Sequence, residues 1–393
     1  MKRSLFLIGG TILVLILLAI WIYVLFFGSP DNRPQFADFN LGDTTDPNAS
    51  EPVPEPTTNE PVVDVESPQR LRQLTTRPVA GYQEVSGTSL RPVLRYVEAG
   101  LGHIYEINLT TGEEQRISGT TIPETIRGTF SPNGTYVMLQ SGSGRNAEYL
   151  LGTFGTSTTG ITTETINERV TSFQATDDNT FLYSVLGETG VIGKEFLPED
   201  GTSETLFTIP FREATIVWGN TATATHYVYP KPASQLEGFA YAVQDGSLQR
   251  IPIAGFNLSL NGTEDYVVYA KQENQSYQTY LFTTEQRQEQ PLGVYFLPEK
   301  CTFLNQTESM ICQQNFDQMD SNTLHRWYAG IENDTGQFWE TNLSTGNSSG
   351  LVNPETVSGR PIDAISLSTG ESDEVLYFQN KNDRTLWLYE RIE

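Results

Sequence analysis

Basic residues are scarce in this chain. Its 393 residues include 24 Lys and Arg against 48 Asp and Glu, a formal net charge of −24, with a pI near 4.5. A nucleic-acid binder is excluded, because duplexes and single strands alike are held by Lys and Arg neutralising phosphates. The same excess of negative charge argues against acidic substrates. Histidine and cysteine are scarcer still, with three and two copies. His103, His226 and His325 are too far apart in sequence for a local ligand set, and two cysteines with no neighbouring His pair do not make a zinc site. Asp317, Asp320 and Asn322 lack the spacing and the glycine of a calcium loop. Phosphate loops, dinucleotide fingerprints and a nucleophile elbow are missing, and Gly142-Ser143-Gly144 reads as a flexible hairpin turn. No catalytic residue, metal or cofactor is therefore assigned.

Aromatic surface is what the chain has in quantity: 18 Tyr, 20 Phe and 5 Trp supply a sizeable core and argue against wholesale disorder. The first segments are built differently. Residues 5–27 run 23 positions without a charge, and as a helix they span about 34 Å, enough to cross a bilayer. Trp21, Tyr23, Phe26 and Phe27 close this run as an interfacial aromatic belt does, where a cleavable signal would end in small residues. Lys2 and Arg3 precede it and the next charge is Asp31, so residues 1–4 are expected in the cytoplasm and the rest outside. The expectation is a single-pass signal anchor in the cell membrane. Residues 28–66 hold seven prolines, nine Asp or Glu and one Arg. Such a stretch buries too little apolar surface to offset its chain entropy, and it reads as a disordered, extended stalk.

Residues 67–393 read as one large all-β domain. Helical periodicity is nearly absent there, and short runs of alternating aromatic or β-branched residues recur between Gly, Asn and Asp turns. The first turn of each recurring unit falls at Gly87, Asn133, Asp178, Asn220, Asn261, Asn305 and Thr369, with spacings of 46, 45, 42, 41, 44 and 64. Five of these match a four-stranded propeller blade, and seven marks predict seven blades. A β-sandwich would not explain the period. The last unit stops after its third strand, Leu386-Trp387-Leu388-Tyr389, while Arg70 to Thr75 resembles the fourth strand Glu114 to Ser118. The N-terminal strand is therefore expected to complete the last blade, which also removes an open sheet edge.

The Phe130-Ser131-Pro132-Asn133-Gly134 turn before an apolar strand, with the earlier Leu109-Thr110-Thr111-Gly112, resembles the repeat of TolB-type and WD-repeat-like propellers. The Gly-His and Trp-Asp signatures of true WD repeats are missing. Gly102 to Ile107 followed by Thr120-Thr121-Ile122-Pro123, behind an anchor and an acidic stalk, resembles membrane-anchored envelope propellers of small-genome bacteria. The resemblance implies the fold over roughly residues 70–393 and, for the TolB-type group, a protein-interaction role in the envelope. It transfers no catalytic residue.

A turn centred on Asn305 to Glu308 would set Cys301 opposite Cys312. A cross-strand disulfide is then within reach, the alternative being two buried free thiols. The 64-residue spacing carries about 20 extra residues, assigned to Gln313–Gly330, with Phe316, His325, Arg326, Trp327 and Tyr328. Loops on a rigid scaffold concentrate binding residues, and Trp, Tyr and Arg are enriched at hot spots. The alternative is that these aromatics fold back over a blade edge or the channel mouth. The functional expectation is a binding or scaffolding module for an envelope protein, peptide or glycan with neutral or basic surface. The competing reading is a propeller-fold glycan hydrolase or lyase with acidic residues at the channel mouth.

Overall fold

A computed structural model of the chain describes residues 70–86, 93–155, 160–274, 276–315 and 320–391. The anchor and stalk expected at 5–27 and 28–66, and the turn mark Gly87, lie outside the described residues. Among the described residues, 27 strands form six antiparallel sheets. Sheet 1 holds β2 (Val79–Val85), β3 (Val93–Glu98), β4 (Ile104–Asn108) and β5 (Glu114–Ser118). Sheet 2 holds β6 (Thr125–Phe130), β7 (Tyr136–Ser141), β8 (Glu148–Phe154) and β9 (Ile161–Thr165). Sheet 3 holds β10 (Val170–Ala175), β11 (Phe181–Leu186), β12 (Val191–Leu197) and β13 (Thr202–Ile209).

Sheet 4 has seven strands: β14 (Ala214–Val217), β15 (His226–Pro230), β16 (Glu237–Gln244), β17 (Ser247–Gly262), β18 (Tyr266–Glu273), β19 (Ser276–Thr283) and β20 (Gln288–Pro291). Sheet 5 holds β21 (Cys301–Phe303), β22 (Ser309–Gln314), β23 (Gln337–Asn342) and β24 (Ser348–Val352). Sheet 6 joins β25 (Ala364–Thr369), β26 (Val375–Asn380) and β27 (Leu386–Glu390) to β1 (Leu71–Gln73). Leu71 pairs with Tyr389 and Gln73 with Trp387, so the first described strand completes the last sheet.

The second strand of each sheet, and the fifth strand of sheet 4, is apolar on both faces, as in Val137-Met138-Leu139 of β7 and Val267-Val268-Tyr269-Ala270 of β18, because a neighbouring sheet covers each side. Outer strands such as Glu114-Gln115-Arg116 stay polar and exposed, which blunts their open edges. Apolar layers join successive sheets. Val97 and Ile104 meet Phe130 and Leu139, Met138 and Tyr149 meet Phe173 and Tyr183, and Leu182 and Phe207 meet Val228 and Val243. Ile311 and Phe338 meet Leu376 and Phe378, and Tyr377 and Leu388 return to Leu94 and Tyr96. The sheets therefore form a ring, the architecture of a β-propeller.

First strands of neighbouring sheets touch at the axis, β2 against β6 and β21 against β25. The approach at β2 is so close that a Cβ on Gly81 would lie 1.8 Å from the Gly128 carbonyl oxygen.

One feature departs from a simple repeat. β17 is a single 16-residue strand that pairs with β16 through Ser247–Phe256 and with β18 through Phe256–Gly262. A bulge between Phe256 and Ser259, with Asn257 at φ +49°, turns the strand from one set of partners to the other. Cys301 and Cys312 are directly opposed in register and disulfide-bonded, with Cα atoms 4.1 Å apart.

Candidate binding face

Alternating strand direction gives the ring two unlike ends. Links between sheets, and the turns between second and third strands, gather at one end, here the connector end; the remaining turns form the hairpin end. Acids dominate the hairpin end, among them Asp177, Asp178, Asp200, Asp265, Glu308 and Glu371, with Arg287 the single base among its described turns. The connector end mixes acids with Arg145, Arg169, Arg212, Lys231, Arg326 and Arg384. Every large apolar side chain left exposed among the described residues also stands there: Leu101, Ile126, Leu236, Phe256, Tyr328, Ile331 and Val357. Both described helices, α1 (Ser321–Tyr328) and α2 (Pro354–Ser358), belong to this end.

Helix α1 is part of the insertion, which runs from 315 to 336 between β22 and β23. Leu324 and Trp327, three positions apart, place two apolar side chains on one face, where they are buried against Ala270, Tyr277 and Leu297. Beneath them lies a cluster of charges. Lys300, fully buried, sends its Nζ to Asp363 Oδ1 at 2.8 Å, to Asp334 Oδ2 at 3.1 Å and to the Asp334 carbonyl. Asp363 Oδ2 accepts from the Trp327 indole at 2.8 Å and from the Asp334 amide at 3.1 Å. Lys381 donates to the Trp327 carbonyl at 2.6 Å and places its ammonium 4.1 Å from the centre of the indole ring. Burial lowers the Lys381 pKa while Asp363 opposes the shift. Buried charges are tolerable when each is paired, and these are paired with one another and with the helix they hold.

Of the residues singled out in the sequence, Trp327 is the buried anchor of α1. His325 and Arg326 face solvent, with Arg326 Nε 3.2 Å from Glu332. Tyr328 is 45% exposed and donates to Glu299 Oε1 at 2.5 Å. Burial of its hydroxyl and the adjacent Glu299 raise its pKa well above that of a free phenol. Phe316 lies outside the described residues. Close by, Glu299 Oε2 and both amide atoms of Gln314 are buried with no hydrogen-bond partner among the described residues. Each such orphan costs about 1–3 kcal/mol, a cost that folds carry mainly where function requires it.

The histidines stand apart. His226 is buried, and its Nδ1 accepts from the Gly219 amide at 2.9 Å; burial pushes its pKa down to about 4. His103 sits 3.3 Å from Glu98.

Sequence reading missed Lys300, Asp334, Asp363 and Lys381, which come from four separate connections and share no motif. The one local trace is a lysine placed between apolar Phe296-Leu297 and Cys301.

An axial cavity of about 250 Å³ is lined by inner-strand residues including Gly81, Tyr82, Arg127, Phe173 and Ser368, with Gln379 of β26, and has no carboxylate in its lining.

No protein-family model and no curated protein matches this chain. Solved structures do. An oligogalacturonate lyase in complex with manganese aligns over 82% of this chain and 93% of its own, with TM-score 0.55 and 11% identity. An oligogalacturonate lyase from Vibrio parahaemolyticus covers 82% and 94%, with TM-score 0.53 and 13% identity. An inactive virginiamycin B lyase from Staphylococcus aureus with quinupristin covers 82% and 99%, with TM-score 0.50 and 11% identity. At this identity the likeness shows the β-propeller fold alone.

Proposed function

We propose that the chain is a single-pass membrane protein whose seven-bladed propeller, residues 67–393, acts outside the cytoplasmic membrane. There it is a binding or scaffolding module for a protein, peptide or glycan of the cell envelope. The blade count follows if the two halves of β17 serve two blades, with Tyr227, Tyr229 and Ala240 packing on Val267, Tyr269 and Phe282 as the other sheets pack on one another. The anchor rests on the uncharged run 5–27 behind Lys2 and Arg3, and the stalk on the proline and acid content of 28–66.

The observation that carries the binding reading is the gathering of exposed apolar side chains at the connector end, beside a hairpin end rich in acid. Exposed apolar surface confined to one end of the ring marks that end as the one suited to a partner. Tyr328 and Ile331, 45% and 68% exposed, stand with Arg326 on an insertion fixed to the ring by Trp327, the pre-organised arrangement that interface hot spots use. Described residues enter at Arg70, beside the hairpin end.

The lyase or hydrolase alternative asks for a free carboxylate pair in an axial pocket. The lining of the 250 Å³ axial cavity has none, and Asp334 and Asp363 are both engaged by Lys300; Glu84 and Glu371 share a cavity of about 510 Å³ toward the hairpin end, where Glu84 accepts from the Tyr377 hydroxyl at 2.7 Å. The test is capture of envelope proteins by the full-length chain beside a Tyr328→Ser, Ile331→Ser variant. Loss of a specific partner in the variant is the expected result, and identical capture by both refutes the reading.

A further inference from the structure

A second feature of the connector end lies between sheets 2 and 3, away from α1. A cavity of about 530 Å³, within the range of small-ligand sites, is lined there by Arg145, Tyr149, Glu168, Arg169, Val170 and Leu186 among others. Two arginines in one cavity stand out in a chain where bases are few. Several guanidiniums elsewhere are engaged by acids, Arg95 with Glu106 at 3.0 Å, Arg77 with Glu114 and Arg391 with Glu340. The guanidiniums of Arg145 and Arg169 form no ion pair or hydrogen bond among the described residues.

Glu168, the acid in the lining, is already neutralised. Lys194 reaches both of its oxygens, at 2.8 and 3.0 Å, and the Tyr183 hydroxyl donates to it at 3.1 Å. The cavity is therefore net positive in a net negative protein.

Its walls are set by the backbone. Gly142 and Gly144 adopt φ of +69° and +61°, and a Cβ on Gly142 would lie 2.7 Å from the Asn146 carbonyl oxygen. The Gly142-Ser143-Gly144 turn is thus a formed structure that presents Arg145, rather than a loose connection. On the other side the Leu186 amide donates to the Arg169 carbonyl at 2.9 Å and fixes the base of that side chain. The floor is apolar: Tyr149 and Val170 are buried at 7% and 5% exposure, with Leu186 beside them.

We propose that this cavity binds a carboxylate-bearing sugar. The guanidiniums of Arg145 and Arg169 grip the carboxylate, as arginine forks do, and the C–H face of the ring lies on Tyr149, Val170 and Leu186. The chain's overall charge does not prevent this. Screening limits repulsion from distant acids to about 8 Å at physiological salt, and the acid-rich turns belong to the opposite end.

The test is an NMR titration of the full-length chain with a glucuronate-terminated disaccharide, its methyl ester and acetate, repeated with Arg145→Gln and Arg169→Gln. Both arginines are exposed, so the variants keep the fold. The disaccharide is expected to bind and to lose affinity about tenfold or more with each substitution, the scale of a charge-assisted hydrogen bond. The ester and acetate are expected to bind at least tenfold more weakly than the disaccharide. Absence of disaccharide binding, equal binding of the ester, equal binding of acetate, or variants indistinguishable from the parent would each overturn the proposal. The Tyr328→Ser, Ile331→Ser variant should bind the disaccharide normally, which separates this site from partner docking.

Discussion

Replacing Lys300 with Met removes the cation from a buried cluster while keeping the length of the side chain. In the parent the ammonium serves Asp363 at 2.8 Å and Asp334 at 3.1 Å, with all three side chains at or below 4% exposure. Without it two carboxylates remain buried, and Lys381, 3.7 Å from Asp363, is the only other ammonium among the described residues paired with either. Stripping one partner from a buried pair costs about 3–5 kcal/mol. With an unfolding entropy of about 2 cal/mol/K per residue over roughly 320 residues, the melting temperature should fall by about 4 to 7 °C. Thermal unfolding followed by circular dichroism measures that shift. Hydrogen exchange at 320–336 shows whether α1 loosens first, because Trp327 depends on Asp363. Lys300→Met combined with Asp363→Asn should cost less than the sum of the single changes, since the double variant leaves one buried charge fewer. A fall below about 1 °C, or strict additivity of the two changes, would refute this account of the cluster.

Three further outcomes follow from the same structure. Unfolded His226 takes up a proton near pH 6.5, whereas the native residue resists until about pH 4. Stability should therefore drop as pH falls through that window, by up to about 3 kcal/mol, and His226→Gln should flatten the dependence in pH-resolved denaturant titrations. Leu71, 4% exposed in the layer with Trp387 and Tyr389, seals the last sheet, so Leu71→Ala should cost about 2–5 kcal/mol by chemical denaturation. Changing Cys301 and Cys312 together to Ser opens a loop with a sequence separation of 11 and should cost about 3 kcal/mol in the same assay.

Much of the ring was legible because its signals are local. Asn133, Asp178 and Asn220 mark turns that the structure places between first and second strands, and Tyr136 to Leu139 and Tyr266 to Tyr269 lie within the second strands expected there. Pairing of the 71–73 strand with the last strand was readable from the likeness of Arg70 to Thr75 to the fourth strand Glu114 to Ser118. Continuity of β17 was not readable, because Pro252 and Gly255 stand in it where a break would be read, and the chain turns between sheet partners through a bulge and the positive φ of Asn257. Helix α1 is eight residues long, and one apolar pair, Leu324 and Trp327, is too short to register as a period. Whether Trp327 faces solvent or the ring depends on Lys300, Asp363 and Lys381, residues 27, 36 and 54 positions away. No local pattern carries that.

The central claim is that the connector end is where this propeller meets its partner. The most direct measurement is quantitative capture from envelope extract by three full-length chains: the parent, Tyr328→Ser with Ile331→Ser, and a hairpin-end control with Asp178→Asn and Glu371→Gln. A partner held by the parent and the control but lost by the connector-end variant is the predicted result. Equal capture by all three chains, or loss confined to the hairpin-end control, would contradict it.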